Sequence, residues 1–239
     1  MLTMGKQPRV TAVPAIASQR LLLPALEVSA RITARSWPVV DFFGDLRIAP
    51  GVFEPHEHSL VHAKEALACF AGSRRVVDVG TGSGALALAL AQAWPAAAVL
   101  GIDASARAVA CARANARFRG AGQARFRLGD LLTGVTPRSA DLVVANLSWI
   151  APLVYLSGEA ADQGWLGPLH AVVDFSADGL GLVRRLIAQC GGVLEPNGWL
   201  LLQCQNLQAA RVVEHLRALR YRAVEVRAGV LVAAQAPQG

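Results

Sequence analysis

Residues Arg75–Gln92 read RVVDVGTGSGALALALAQ. Val76, Val77 and Val79 form a short run of β-branched residues, the composition of a buried strand. Asp78 interrupts that run just before the glycines begin. Gly80, Gly82 and Gly84 alternate with Thr81 and Ser83, and Ala85–Ala91 is built from Ala and Leu, strong helix formers. A strand, a glycine-rich turn and a helix start in that order make a site for a nucleotide-like ligand. Glycines let the chain turn tightly and let a ligand approach without a Cβ in the way. The helix N-terminus adds free N–H groups and a partial positive charge.

Outward from this stretch the chain alternates strands and helices. Strands are expected at Arg75–Val79, Ala98–Ile102, Ala124–Leu128, Asp141–Ala145 and Gly198–Gln203. Helices are expected at Ala85–Trp94, Ala106–Phe118, Ala177–Cys190 and Leu207–Arg220, with a long loop over Leu147–Ser176. Ala223–Val226 and Val230–Ala234, joined through Gly229, read as a terminal hairpin. The fold class is therefore α/β: a doubly wound, mostly parallel, seven-stranded Rossmann-like sheet with a C-terminal antiparallel hairpin. Ahead of it, Met1–Trp37 is broken by Pro8, Pro14 and Pro24 and reads as a loose arm, with a short helix over Ala25–Ile32. Val39–Phe53, with turn signals at Gly44-Asp45 and Pro50-Gly51, reads as a β-hairpin, and Pro55–Phe70 as a lead-in helix. The expected divisions are an arm (1–37), a hairpin with lead-in helix (38–72) and a cofactor-binding domain (73–239), the arm being free to serve a homo- or hetero-oligomer contact.

Composition bounds the function classes. Of 239 residues, 54% are hydrophobic and 17% charged, enough apolar surface for a large core. The net charge of +6 comes from dispersed arginines, since only Lys6 and Lys64 are lysines. Arg113, Arg117, Arg119, Arg125 and Arg127 cluster, but only Phe118 and Phe126 interleave with them, so a nucleic-acid partner is not expected. Four cysteines, at 69, 111, 190 and 204, lie far apart without C-x-x-C spacing, as in a reduced, cytoplasmic protein. Leu21–Leu26 is too short, and broken by Pro24, for a secretion signal. Gly84–Ile102 is long and nearly uncharged, but Trp94-Pro95 splits it, so it reads as core and no membrane contact is expected.

In a doubly wound sheet, ligands bind outside the carboxyl ends of the strands. Those positions hold Gly80–Gly84, Asp103, Asp130 and Asn146 in turn. Gly80, Gly82 and Ala85 satisfy the dinucleotide spacing G-x-G-x-x-A, with Asp103 as the ribose acid, so a dehydrogenase is the first rival. Asp78 argues against it, because a carboxylate there repels a pyrophosphate and suits a cationic amino group. Asp130 can accept from an adenine amine. The set fits a cationic, amino-acid-bearing nucleoside.

The segments Asp78–Gly84 (DVGTGSG), Gly101–Ser105 (GIDAS), Gly129–Leu131 (GDL) and Val144–Leu147 (VANL) resemble the class I S-adenosylmethionine-dependent methyltransferases. PGVFEP (Pro50–Pro55) and Asp178–Gln203 make the HemK/PrmC-like group, the release-factor glutamine methyltransferases, the most similar. The resemblance covers roughly Val39 to Ala234. It implies S-adenosyl-L-methionine as cofactor. Asp78 would meet its amino group, and Gly80, Thr81, Gly82 and Gly84 would lie along the methionine portion. Asp103, with Ala104 beside it, would take the ribose hydroxyls; Asp130 and Leu131 would hold the adenine. Asn146 would stand between cofactor and acceptor.

Two departures redirect the expectation. The relatives' N-P-P-Y is here Asn146, Leu147, Ser148 and Trp149. Lost prolines loosen a loop whose carbonyl must be aimed, while Trp149 either stacks on a flat substrate or packs against the sheet. The relatives' multi-helix front domain has no counterpart in Met1–Trp37. A diverged methyltransferase acting on a small molecule, as in secondary-metabolite biosynthesis, or on a peptide nitrogen or oxygen, is expected. Alternatives are an enzyme using the same fold for another substitution or elimination, and a cofactor-binding scaffold for a partner subunit. His56 is a candidate for substrate contact or acid–base work. His58 and His62, four apart on a helix, read as a polar helix start and not as metal ligands; no metal is expected.

Overall fold

The computed structural model describes residues 37–157 and 169–238. The expected arm and its helix at Ala25–Ile32 lie outside them. The strands are β1 (Arg75–Val79), β2 (Ala98–Asp103), β3 (Ala124–Leu128), β4 (Ala140–Ala145), β5 (Leu194–Gln203), β6 (Arg222–Arg227) and β7 (Leu231–Gln235). They form one sheet in the order β3-β2-β1-β4-β5-β7-β6. The first five run parallel, and β7 is antiparallel to both β5 and β6. This is the Rossmann-like α/β architecture expected from the strand–helix alternation.

Helices cover both faces: α1 (Trp37–Phe43), α2 (Glu57–Cys69), α3 (Ala85–Ala93) and α4 (Ala106–Phe118), then α5 (Pro152–Leu156), α6 (Leu169–Val172), α7 (Gly181–Val193) and α8 (Asn206–Ala218). Alternation along the strands divides the core. Val76, Val144 and Leu201 face α2 and α3, whereas Val77, Val143 and Leu200 face α7 and α8. Asp78 therefore emerges on the α3 side, and so do Asn146 and Gln203, each two residues beyond a residue of that face.

The hairpin expected at Val39–Phe53 is not formed. Residues 37–43 are helical, with irregular chain from there to Glu57. Val39 and Phe43 are both fully buried in the core shared with α2 and α3, and their i, i+4 spacing is the helical period. The alternation that suggested a strand holds that period as well. Gly44, at φ +63°, turns the chain away after Phe43. Within Leu147–Ser176, Ile150 bridges Val173 in parallel, and α5 and α6 flank that bridge. Helix α7 starts at Gly181, not at Ala177. Asp178 Oδ1 accepts from the Leu180 N–H (3.2 Å) and Asp174 Oδ2 from the Leu182 N–H (2.7 Å), so these two acids fix the start of the helix.

Candidate active site

The turn after β1 is built on Ile102, whose carbonyl accepts from the N–H groups of Gly80 (2.8 Å) and Thr81 (3.1 Å). Gly80, Gly82 and Gly84 all lie at positive φ, which only glycine adopts without strain. A Cβ on Gly80 would sit 2.9 Å from Leu147 Cδ2. Gly84 serves a different purpose. It begins α3, where a Cβ would stand 3.0 Å from that of Ala112, so it lets α3 and α4 approach. Gly84 does not line the cavity beside the turn.

That cavity has a volume of about 460 Å³. It brings together Asp78, Gly80, Thr81, Gly82, Asp103, Ala104, Asp130, Leu131, Asn146, Trp149 and His56, every other residue assigned to the site from the sequence. The carboxylate of Asp78, 2% exposed, accepts from Thr81 Oγ1 (2.7 Å) and from the Ala87 N–H (3.2 Å), both through Oδ2. Burial pushes its pKa up to about 7; the charge of Asp103 adds to the rise, and the two hydrogen bonds oppose it. Asp103 accepts from the Gly82 N–H through Oδ2 (2.9 Å) and from the Ser105 N–H through Oδ1 (2.8 Å). Each oxygen has a second acceptor direction in reserve, so the backbone orients the carboxylate without exhausting it.

Asp130 lies at the cavity's edge, half-exposed and ion-paired with Arg185 of α7. Leu131 beside it is buried, with φ +50°. His56 precedes α2; its ring meets Phe53 edge-on at 5.2 Å, and its backbone N–H donates to Ser59 Oγ (3.3 Å). Asn146 Nδ2 reaches the same Ser59 oxygen at 3.5 Å. Trp149 packs against the segments that flank its own loop and not against the sheet. It is 9% exposed, packed with Ile150, Tyr155 and Val172, and still forms part of the cavity wall.

The loop carrying Trp149 is tied down in a way the sequence does not announce. Its N–H and that of Ile150 both donate to Val172 (3.2 and 3.0 Å), and Gln208 Nε2 donates to the Trp149 carbonyl at 2.9 Å. Ser59, His62 and Gln203 also line the cavity and Gln208 anchors the loop, positions that the sequence reading does not single out for those places. A usable signal existed for three of them: Gln203 ends a strand in the register of Asn146, and Ser59 with His62 follows the i, i+3 spacing of one helical face.

The arginine cluster is largely structural. Arg113 donates to the Phe126 carbonyl from Nε and Nη2, Arg119 to that of Phe43 (2.7 Å), and Arg127 to that of Thr133 (2.8 Å). Among the described residues no group of three His, Cys, Asp or Glu side chains is placed to hold a metal ion. None of the described helices is long and apolar enough to cross a membrane.

The sheet order, the glycine turn and the acids at successive strand ends define the class as an α/β methyltransferase fold. Residues 50–148, less than half of the chain, match the family model described as methyltransferase small domain, which makes this segment a methyltransferase domain with S-adenosylmethionine as its cofactor. Solved structures similar to the chain include ribosomal protein L11 methylase from Lactobacillus delbrueckii subsp. bulgaricus. It is 23% identical with a TM-score of 0.57, and the match covers 80% of this chain and 83% of that one. Precorrin-6y C5,15-methyltransferase from Geobacter metallireducens GS-15 is 12% identical (TM-score 0.54; 80% and 93% covered). A SAM-dependent methyltransferase from Aquifex aeolicus is 13% identical (TM-score 0.51; 77% and 93% covered). At these identities the likeness shows the fold alone. No curated protein matches the sequence.

Proposed function

We propose that the chain is a diverged, cytoplasmic relative of the HemK/PrmC-like group that methylates a nitrogen or oxygen of a small molecule or peptide, as a biosynthetic enzyme would. The observation that carries this reading is the pairing of a buried carboxylate, Asp78, with a backbone-oriented one, Asp103, across the same glycine turn.

These residues fit the cofactor. Asp78 can take its ammonium group, since burial makes an uncompensated charge there costly and a cationic partner removes that cost. Asp103 offers two reserve acceptor directions, the number that a ribose diol requires. Gly80 and Gly82 open the backbone to the methionine portion. Asp130 and Leu131 flank the adenine end, with Arg185 fixing the acid. When bound, S-adenosylmethionine supplies a methyl group on a sulfonium, a good leaving group.

Asn146 and Trp149 then set acceptor geometry. Ser59 takes the Asn146 amide N–H, which leaves Oδ1 as an acceptor for a substrate N–H or O–H. Trp149 closes the wall against water. Positioning and desolvation are the two contributions the chain makes to an in-line transfer. The bonds to the Val172 carbonyl and from Gln208 hold the loop as prolines do in relatives, and this favours retained methyl transfer over another substitution or a scaffold role. Titration calorimetry with S-adenosylmethionine and its demethylated product, followed by label transfer from methyl-labelled cofactor to candidate acceptors, tests the proposal.

A further inference from the structure

Asn115, on α4, is fully buried and does not line the cavity. Its side chain makes three hydrogen bonds to backbone far away along the chain. Oδ1 accepts from the Arg47 N–H (2.9 Å), and Nδ2 donates to the carbonyls of Arg47 (3.0 Å) and Ser83 (2.9 Å). A carboxamide has one acceptor oxygen and two N–H donors in a plane, and here all of them are engaged. The amide is thereby fixed, and it fixes two separate segments to each other.

Both segments run into the cavity wall. Arg47 belongs to the irregular strap between α1 and α2, whose Gly51, Val52 and Phe53 line the cavity. Ser83 ends the glycine turn, whose Gly80, Thr81 and Gly82 line it too. The strap lies along α4. Cys111 Sγ donates to the Arg47 carbonyl (3.1 Å), Arg107 Nη1 donates to that of Pro50 (3.0 Å), and Val52 packs against Ala108 and Cys111. The Val52 N–H closes a turn on the Ala49 carbonyl (3.0 Å) through Gly51, at φ +77°. Ile102 and Asp103 hold the glycine turn through its N–H groups, whereas Asn115 takes the carbonyl at its end. A ligand that meets both strap and turn finds walls already set, so less of its binding energy goes into ordering them. An apolar residue of the same size at 115 would fill the volume without setting that relation.

We propose that Asn115 is a positioning residue for cofactor binding: it clamps the strap to the glycine turn, so that Gly51–Phe53 stand as a ready wall for the cofactor that the turn receives. The inference rests on the methyltransferase reading of the cavity, and adds to it a residue that itself touches no ligand.

The test follows amide hydrogen exchange by NMR in the full chain, with and without the demethylated cofactor. In the wild type the ligand is expected to slow the Arg47 and Val52 amides and the side-chain amide of Asn115 together with Gly80 and Thr81. Asn115→Leu keeps the bulk and removes all three bonds. In that variant the ligand should still slow Gly80 and Thr81, which Ile102 holds, but no longer the strap. Calorimetry should show affinity for the demethylated cofactor weakened by about tenfold or more, because the ligand must now order the strap itself. A residue that only stabilises the core would lower the melting temperature and speed exchange throughout, leaving affinity per folded molecule unchanged. A wild-type strap that the ligand does not slow, or a folded Asn115→Leu with wild-type affinity or a strap still slowed by the ligand, would each overturn the proposal. If Asn115→Leu does not fold, the wild-type exchange pattern decides alone. Failure of the wild-type chain to bind the demethylated cofactor is a separate result, and overturns the methyltransferase reading instead.

Discussion

Gln208 Nε2, on α8, donates a 2.9 Å hydrogen bond to the carbonyl oxygen of Trp149, and the same amide nitrogen reaches the Asp178 carbonyl at 3.1 Å. One buried side chain thus ties the loop carrying Trp149 to the start of α7. Gly179 makes room for the contact, because a Cβ there would stand 2.3 Å from the Trp149 oxygen. Gln208→Leu keeps the bulk and removes the donor. The buried Trp149 carbonyl and the partly buried Asp178 carbonyl then lose a partner. The cost is about 1–3 kcal/mol for the buried one, offset in part because Gln208 Oε1, unpartnered among the described residues, goes as well. The expected result is a lower melting temperature and methyl transfer slowed by about tenfold or more, with cofactor affinity unchanged. Label transfer and calorimetry on the same variant check the split.

Asp78 gives the chain a pH signature. Its folded-state pKa is raised to about 7 by burial, so the folded chain holds this proton more tightly than the unfolded chain does. The ligand-free protein therefore loses stability as pH rises from the ordinary carboxylate range, about 4, toward 7, and the loss is complete above that. A cationic ligand favours the ionised acid, so cofactor affinity rises with pH through about 7 and then levels, with proton release on binding. Calorimetry in two buffers of different ionisation heat reads that release. Asp78→Asn abolishes it and weakens binding.

The glycines separate by role. Gly84→Ala meets Ala112 and an unfavourable φ of +82°, so it costs stability, on the order of 1–3 kcal/mol, with little change in affinity per folded molecule. Gly80→Ala sets a methyl group 2.9 Å from Leu147 on the cavity wall and is expected to lower cofactor affinity as well. Thermal unfolding and titration of both variants distinguish the two.

Asn146 takes its orientation from Ser59 at 3.5 Å. Ser59→Ala removes the acceptor that fixes the amide, leaving it free to turn. The expected effect is a raised acceptor KM and a lower kcat, with cofactor affinity retained. An unchanged kcat and KM would show that the amide is held by other means.

The core of this architecture was legible because each signal was local. Val76–Val79, the glycine turn and the Ala–Leu helix contain their own boundaries, and the acids at Asp103 and Asp130 follow strands whose length is clear. The front was not legible, because Val39 and Phe43 satisfy both a strand-like alternation and the i, i+4 period, and only packing against α2 and α3 decides between them. Gly84 was assigned to the ligand for its neighbours' reason, whereas its contact with Ala112 is a tertiary one. Gln208 lies fifty-nine residues from Trp149 along the chain, and nothing local marks that contact.

The ribose assignment is the most direct point of attack. Titration calorimetry of S-adenosylmethionine into the wild-type chain and into Asp103→Ala compares the cofactor site with and without its central acceptor. Saturable binding to the wild type, weakened by about a hundredfold or more in the variant, is the predicted result, since two charge-assisted hydrogen bonds are lost. No binding to the wild type, or equal affinity in both, would contradict the account.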